Sequence, residues 1–113
     1  MKTLLPLALI LALVACGPGE VTFDHDYVIP SGTGARLDAG EPVEILPFIL
    51  EARVGETLRI VNRDFRGHRI GPYYVGSGET VTHTFTAPAE MRGPCTVRFD
   101  EEMIVRVTDL SRG

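Results

Sequence analysis

From Val21 to Thr108 the chain breaks into short runs of alternating apolar and polar residues. Gly, Pro and Asp separate them at roughly 8–12-residue spacing, and no stretch sustains a helical period. This punctuation constrains the fold most. Runs this short bury one face only by pairing with other runs, so the chain is predicted to be all-β, a Greek-key β-sandwich. Thr80–Thr86 shows the pattern most cleanly, with Val81, His83 and Phe85 on one face and Thr80, Thr82, Thr84 and Thr86 on the other. Thr57–Asn62 alternates likewise, with Leu58 and Ile60 sharing a face. Further strands are expected over Val21–Ile29, Val43–Leu46, Phe48–Arg53 and His68–Ile70, then a closing pair, Thr96–Phe99 and Met103–Thr108, joined through Asp100-Glu101-Glu102. Pro47 interrupts its neighbours and suggests an edge or a strand that switches sheets. Pro30–Gly34, Arg63–Gly67 and Gly71–Gly78 read as loops, Ala87–Pro94 as irregular, and Val54-Gly55-Glu56 as a tight turn.

The first residues read differently. Met1-Lys2-Thr3 carries a positive charge, and Leu4–Ala15 carries none. That run is shorter than the roughly 20 residues a membrane-spanning helix needs, and it reads as the apolar region of a secretory signal. It ends in Leu13-Val14-Ala15-Cys16, which resembles the lipobox of bacterial lipoproteins. The resemblance implies cleavage before Cys16 and acylation of that cysteine. An ordinary secreted protein, cut near Ala15, is the alternative. The expected organisation is a signal peptide over residues 1–15, a lipidated Cys16 with a flexible tether to residue 20, and one domain over 21–113. Such a chain is extracytoplasmic and held by its lipid to the cell membrane or outer membrane. Cys95 is then left over in an oxidising compartment, as a metal ligand, a reactive thiol or a buried thiol.

From Phe48 to Thr108 the pieces of the chain resemble, in order, those of the cupredoxins, small copper-binding β-sandwiches. Val54–Asn62 is similar to the family's turn and strand before its first ligand. Asn62-Arg63-Asp64-Phe65-Arg66-Gly67-His68 is similar to the Asn-x-Asp … His segment that ends on the first imidazole. Gly78-Glu79-Thr80 and Thr84-Phe85-Thr86-Ala87-Pro88 resemble the strand before the ligand loop, and Met103–Val107 the closing strand.

The resemblance implies copper as the cofactor, with His68, Cys95 and Met103 as candidate ligands. An electron-transfer copper site takes two imidazoles, a thiolate and a weak thioether. Arg98 stands where the second imidazole is expected, and a guanidinium is not deprotonated to bind a metal. A fixed cation there also disfavours Cu²⁺. Two alignments of the ligand loop are open. With Pro88 at the family's Pro-Gly position, Cys95 is the thiolate and Met103 the thioether. With Gly93 at the family's Gly position, Cys95, Val97 and Phe99 become one buried strand face, and Phe99 takes the thiolate position. His68 is accordingly a ligand or a histidine left at the sandwich rim. Cys95 is a ligand or an inert buried thiol, and Met103 a ligand or core. Arg98 is most simply paired with Asp100, Glu101 or Glu102.

Other features bound the function. His83 and His25 are spare imidazoles, and Asp24-His25-Asp26 is a surface metal candidate or a solvated edge. Arg63, Arg66 and Arg69 surround His68, as a docking patch for an acidic partner or anionic lipid, or as a solvated loop. There is no basic run and no excess of aromatics, so nucleic acid is not expected as a partner. No Ser/His/Asp set, paired carboxylates or phosphate loop is present, so the domain is not expected to be an enzyme. Two functions are expected. One is a lipid-anchored binding or interaction domain with a degenerate copper site and an envelope protein as partner. The other is copper handling or electron transfer through His68, Cys95 and Met103.

Overall fold

Alternating runs and turn residues produce two packed sheets. The computed structural model describes residues 22–97 and 101–109, with Glu101 as backbone alone. The elements are β1 (His25–Ile29), α1 (Thr33–Asp38), β2 (Ile49–Arg53), β3 (Thr57–Asn62), β4 (His68–Ile70), β5 (Tyr73–Val75), β6 (Thr80–Thr84), β7 (Ala89–Cys95) and β8 (Glu101–Thr108). One sheet has the order β1-β3-β6 and the other β2-β8-β7-β4-β5. β1 runs parallel to β3 and β2 parallel to β8; the other pairs are antiparallel. The chain is an all-β sandwich, as its punctuation requires.

The core forms where the inward faces meet. Ile29, Leu58 and Ile60 from the first sheet face Leu50, Ala52, Ile70, Val75, Met103, Val105 and Val107 from the second, with Cys95 and Val97 among them. β3 has the expected bounds and the expected inward Leu58 and Ile60. The turn before it works because Gly55 adopts φ 96, a left-handed conformation that only glycine enters without strain.

Several expectations are corrected. β1 starts at His25, and Val21 lies outside the described residues. Val43–Leu46 is not a strand, although Val43 and Leu46 are buried. The Gly71–Gly78 loop contains β5, because Gly71, at φ 59, and Pro72 close a two-residue hairpin that sets Ile70 opposite Tyr73. The Ala87–Pro94 stretch contains most of β7, while Thr96 and Val97 form a turn. Pro94 is tolerated inside β7 because its nitrogen faces β4 rather than β8: its own carbonyl accepts the Gly71 N–H at 2.9 Å on that side. α1, six residues long, was not expected at all.

Candidate functional site

β1 and β3 end together, because they are parallel. Their continuing loops meet at one end of the sandwich, where β4 begins with His68. Asn62, the last residue of β3, is 1% exposed and organises this end. Its side-chain N–H groups donate to the carbonyls of Arg66 (2.9 Å), Val75 (3.0 Å) and Gly76 (3.1 Å), and its Oδ1 accepts the Asp64 N–H at 2.9 Å. The loop is thereby folded so that the Asp64 carboxylate points inward.

Asp64 then makes a second set of bonds. Its Oδ1 accepts the Gly32 N–H at 3.1 Å, and its Oδ2 accepts the Gly34 N–H at 2.8 Å and lies 2.8 Å from His68 Nε2. A carboxylate 30 residues away in sequence thus supplies the start of α1, which has no side-chain cap of its own. Arg66 closes the same helix from outside, bidentate to Asp38 at 2.7 and 3.1 Å. Burial pushes the Asp64 carboxyl up. The hydrogen bonds from His68 and from the Gly34, Phe65 and Gly32 amides outweigh that, and the group titrates below its ordinary value.

His68 is 1% exposed, and both its ring nitrogens have partners. Nε2 donates to Asp64, and Nδ1 lies 3.1 Å from Thr96 Oγ1. Thr96 Oγ1 in turn accepts the Arg69 N–H at 3.0 Å. The imidazole therefore ties the loop after β3 to the turn after β7. Asn62 and Asp64 lay within the Asn-x-Asp … His segment, but nothing in the sequence signalled Thr96, Gly32 or Gly34 as partners.

The other candidate ligands are core residues too. Cys95 ends β7, opposite Ile70 of β4 and Glu101 of β8, and is fully buried together with Val97. Met103 is fully buried on β8 opposite Gly93, its sulfur near Gly71. Arg98, Phe99 and Asp100 lie outside the described residues, and with them the pairing expected of Arg98 and the tip of the ligand loop. Cys16 lies outside as well. Among the described residues no three His, Cys, Asp or Glu side chains are grouped to hold a metal. Both nitrogens of the candidate imidazole are engaged and the thiol and thioether are packed in the core, so a copper ion held by His68 would have to displace Thr96 or Asp64.

The spare imidazoles are also engaged. His83 Nδ1 lies 2.7 Å from the Tyr73 hydroxyl, with its ring against Phe85, and burial pushes the Tyr73 phenol up to about 12. His25 Nε2 lies 2.8 Å from Glu56, and Asp26 forms a bidentate pair with Arg59. Of the basic cluster, Arg66 is paired with Asp38, whereas Arg63 and Arg69 are exposed and have no ion pair among the described residues. Phe65, between Arg63 and Arg66, is 89% exposed.

No family model matches the chain, and no curated protein matches it in sequence. Solved structures do resemble it. A purple cupredoxin from Nitrosopumilus maritimus is 23% identical, with a TM-score of 0.49 over 74% of this chain and 99% of that one. The Cu(I) form of an amicyanin mutant, in which a methionine is replaced by alanine, is 15% identical, with a TM-score of 0.50 over 78% of this chain and 85% of that one. Amicyanin from Paracoccus versutus is 16% identical, with a TM-score of 0.48 over 78% and 85% of the two chains. Two sheets, their strand order and the likeness to the Cu(I) amicyanin mutant make the fold a cupredoxin-like β-sandwich.

Proposed function

We propose that the chain is a lipid-anchored, extracytoplasmic cupredoxin-like binding module without catalytic activity, in which the first ligand position holds the fold together instead of a metal. The observation that carries this reading is the engagement of both His68 nitrogens, by Asp64 and Thr96, in a nearly closed site. A metal on Nδ1 displaces Thr96, and a metal on Nε2 displaces Asp64. The lipobox Leu13-Val14-Ala15-Cys16 supports the anchor. β1 begins at the end opposite the Arg63–Gly67 loop, so a tether entering at His25 leaves that loop turned away from the anchor. Exposed Phe65, Arg63 and Arg69 at that end suit an acidic protein surface in the envelope.

The test is titration of the mature chain, purified from membranes in detergent, with Cu⁺ and Cu²⁺, and with Cys95→Ser as control. The expected result is no stoichiometric tight binding in either protein. One equivalent of tight copper, lost in Cys95→Ser, would overturn the reading and establish copper handling through His68, Cys95 and Met103. An intense visible thiolate-to-copper band would establish electron transfer. The intact mass of the purified chain tests the anchor separately, and an unmodified mature chain in the soluble fraction would remove it.

A further inference from the structure

β7 is covered along only part of one side. Its odd residues, Ala89, Met91, Gly93 and Cys95, pair with the odd residues of β8, whose even residues turn to β2. On the other side, the Pro94 carbonyl accepts the Gly71 N–H and the Thr96 N–H donates to the Arg69 carbonyl, each at 2.9 Å. Even-numbered residues of β7 therefore direct their backbone groups toward β4. By the alternation of an antiparallel ladder, the N–H and C=O of Glu90 and Arg92 face that same side. β4 does not reach them: its register with β7 is Ile70 against Cys95 alone. Among the described residues no strand lies beside 89–93.

The two faces of this open stretch differ. Inward lies a groove of about 200 Å³, lined by His83, Phe85, Ala87, Ala89, Met91 and Val107. Outward, Glu90 and Arg92 carry opposite charges on one face of the strand, 2.6 Å apart, and each also has an exposed partner on β8, Arg106 at 3.3 Å and Glu102 at 3.2 Å. Charges on an edge ordinarily keep other strands away. Opposite charges placed symmetrically about one residue do the reverse for a like edge. An antiparallel copy centred on Met91 sets Glu90 opposite the copy's Arg92, and Arg92 opposite the copy's Glu90. In this register both pairs are of the hydrogen-bonded kind, each exchanging N–H···O=C bonds in both directions through the groups that face outward. Met91 meets its counterpart on the dyad above the groove, and Ala89 falls opposite Gly93, whose Cβ side is already covered by the Gly71 backbone.

We infer that residues 89–93 of β7 form an isologous, edge-to-edge interface with a second copy of this chain. The interface joins two β7 strands across a two-fold axis and closes the groove with apolar surface from both copies. It is independent of any metal and lies away from the His68 end.

Sedimentation velocity on the mature chain in detergent, over a concentration series, tests it. The expected species is a dimer that dissociates on dilution. Glu90→Arg and Arg92→Glu each set like charges opposite one another at both pairs, and each weakens self-association about tenfold or more. An equimolar mixture of the two variants restores opposite charges at both pairs and dimerises. Arg92→Pro removes the N–H that faces the open edge and no backbone bond to β8, at the loss of the exposed side-chain pairs with Glu90 and Glu102, and leaves a folded monomer by far-UV circular dichroism. A wild type that is monomeric at every concentration overturns the inference. So does a dimer indifferent to both reversals, or a folded mixture that fails to pair. The exposed charge reversals keep the test decisive if the proline variant does not fold.

Discussion

Asp64→Ala is the substitution that most directly tests how this end of the sandwich is held. The carboxylate satisfies the Gly34 N–H, the His68 Nε2–H and the more accessible Gly32 N–H. Gly34 and His68 are buried, so truncation strands two donors away from water. A buried donor without a partner costs about 1–3 kcal/mol, so the expected loss is about 3 kcal/mol, with the Gly32 donor rehydrated at little cost. At an m-value of about 1.5 kcal/mol per molar urea, that lowers the midpoint by about 2 M. Urea unfolding followed by far-UV circular dichroism reads this directly, and the chain has no Trp to complicate the spectrum. Asp38→Ala is the control, since it removes the exposed pair with Arg66 on the same helix and should leave the midpoint nearly unmoved. If Asp64→Ala falls no further than Asp38→Ala, the buried network is not what fixes this end.

Other expectations follow from the same geometry. Because the Asp64 carboxyl is held below its ordinary 3.8, its contribution to stability is complete above that value and lost as pH falls through the folded pKa. The acid limb of wild-type stability should therefore be steeper than that of Asp64→Asn in matched urea titrations. Burial holds the Tyr73 phenol at about 12, against an ordinary 10.0, so the stability it provides is full below 10 and fades as pH rises through about 12. In ultraviolet titration of Tyr73→Phe, the latest phenolate signal should disappear. Gly93→Ala drives a Cβ into the Gly71 carbonyl, which is backbone and has little freedom to move. It should cost about 1–3 kcal/mol in the same urea assay. Met103→Ala empties a fully buried site and should cost about 3 kcal/mol, with no change in secondary structure by circular dichroism.

Legibility in the sequence followed the range of the interactions. β3 could be bounded to the residue because its inward Leu58 and Ile60 and its Gly55 turn are local signals. β7 was hidden because Gly93 and Pro94 are turn residues in isolation. They suit a strand only because Gly71 crosses Gly93 and the Pro94 nitrogen faces away from β8. α1 was hidden for a similar reason: six residues show no helical period, and Asp64 and Arg66 hold them from another loop. His68 stood out through its Asn-x-Asp … His segment. What it touches did not, because Thr96 lies 28 residues further along the chain and the helix amides that share its carboxylate lie before β2. The alternation of Cys95 and Val97 was visible as one possible strand face, and both side chains are buried.

The two parallel pairings also govern when this chain can fold. β1 finds its register only with β3, as in the Asp24–Thr57 contact spanning 33 residues. β2 finds its register only with β8, the Glu51–Arg106 contact spanning 55. No parallel pair forms from a local hairpin, so closure of long loops must come before the reward of burial. β8, the last of the described strands, is the one that completes the sheet holding β2. A growing chain therefore remains open until β8 is available, and without β8, β2 has no strand partner among the described residues and Met103, Val105 and Val107 are missing from the core.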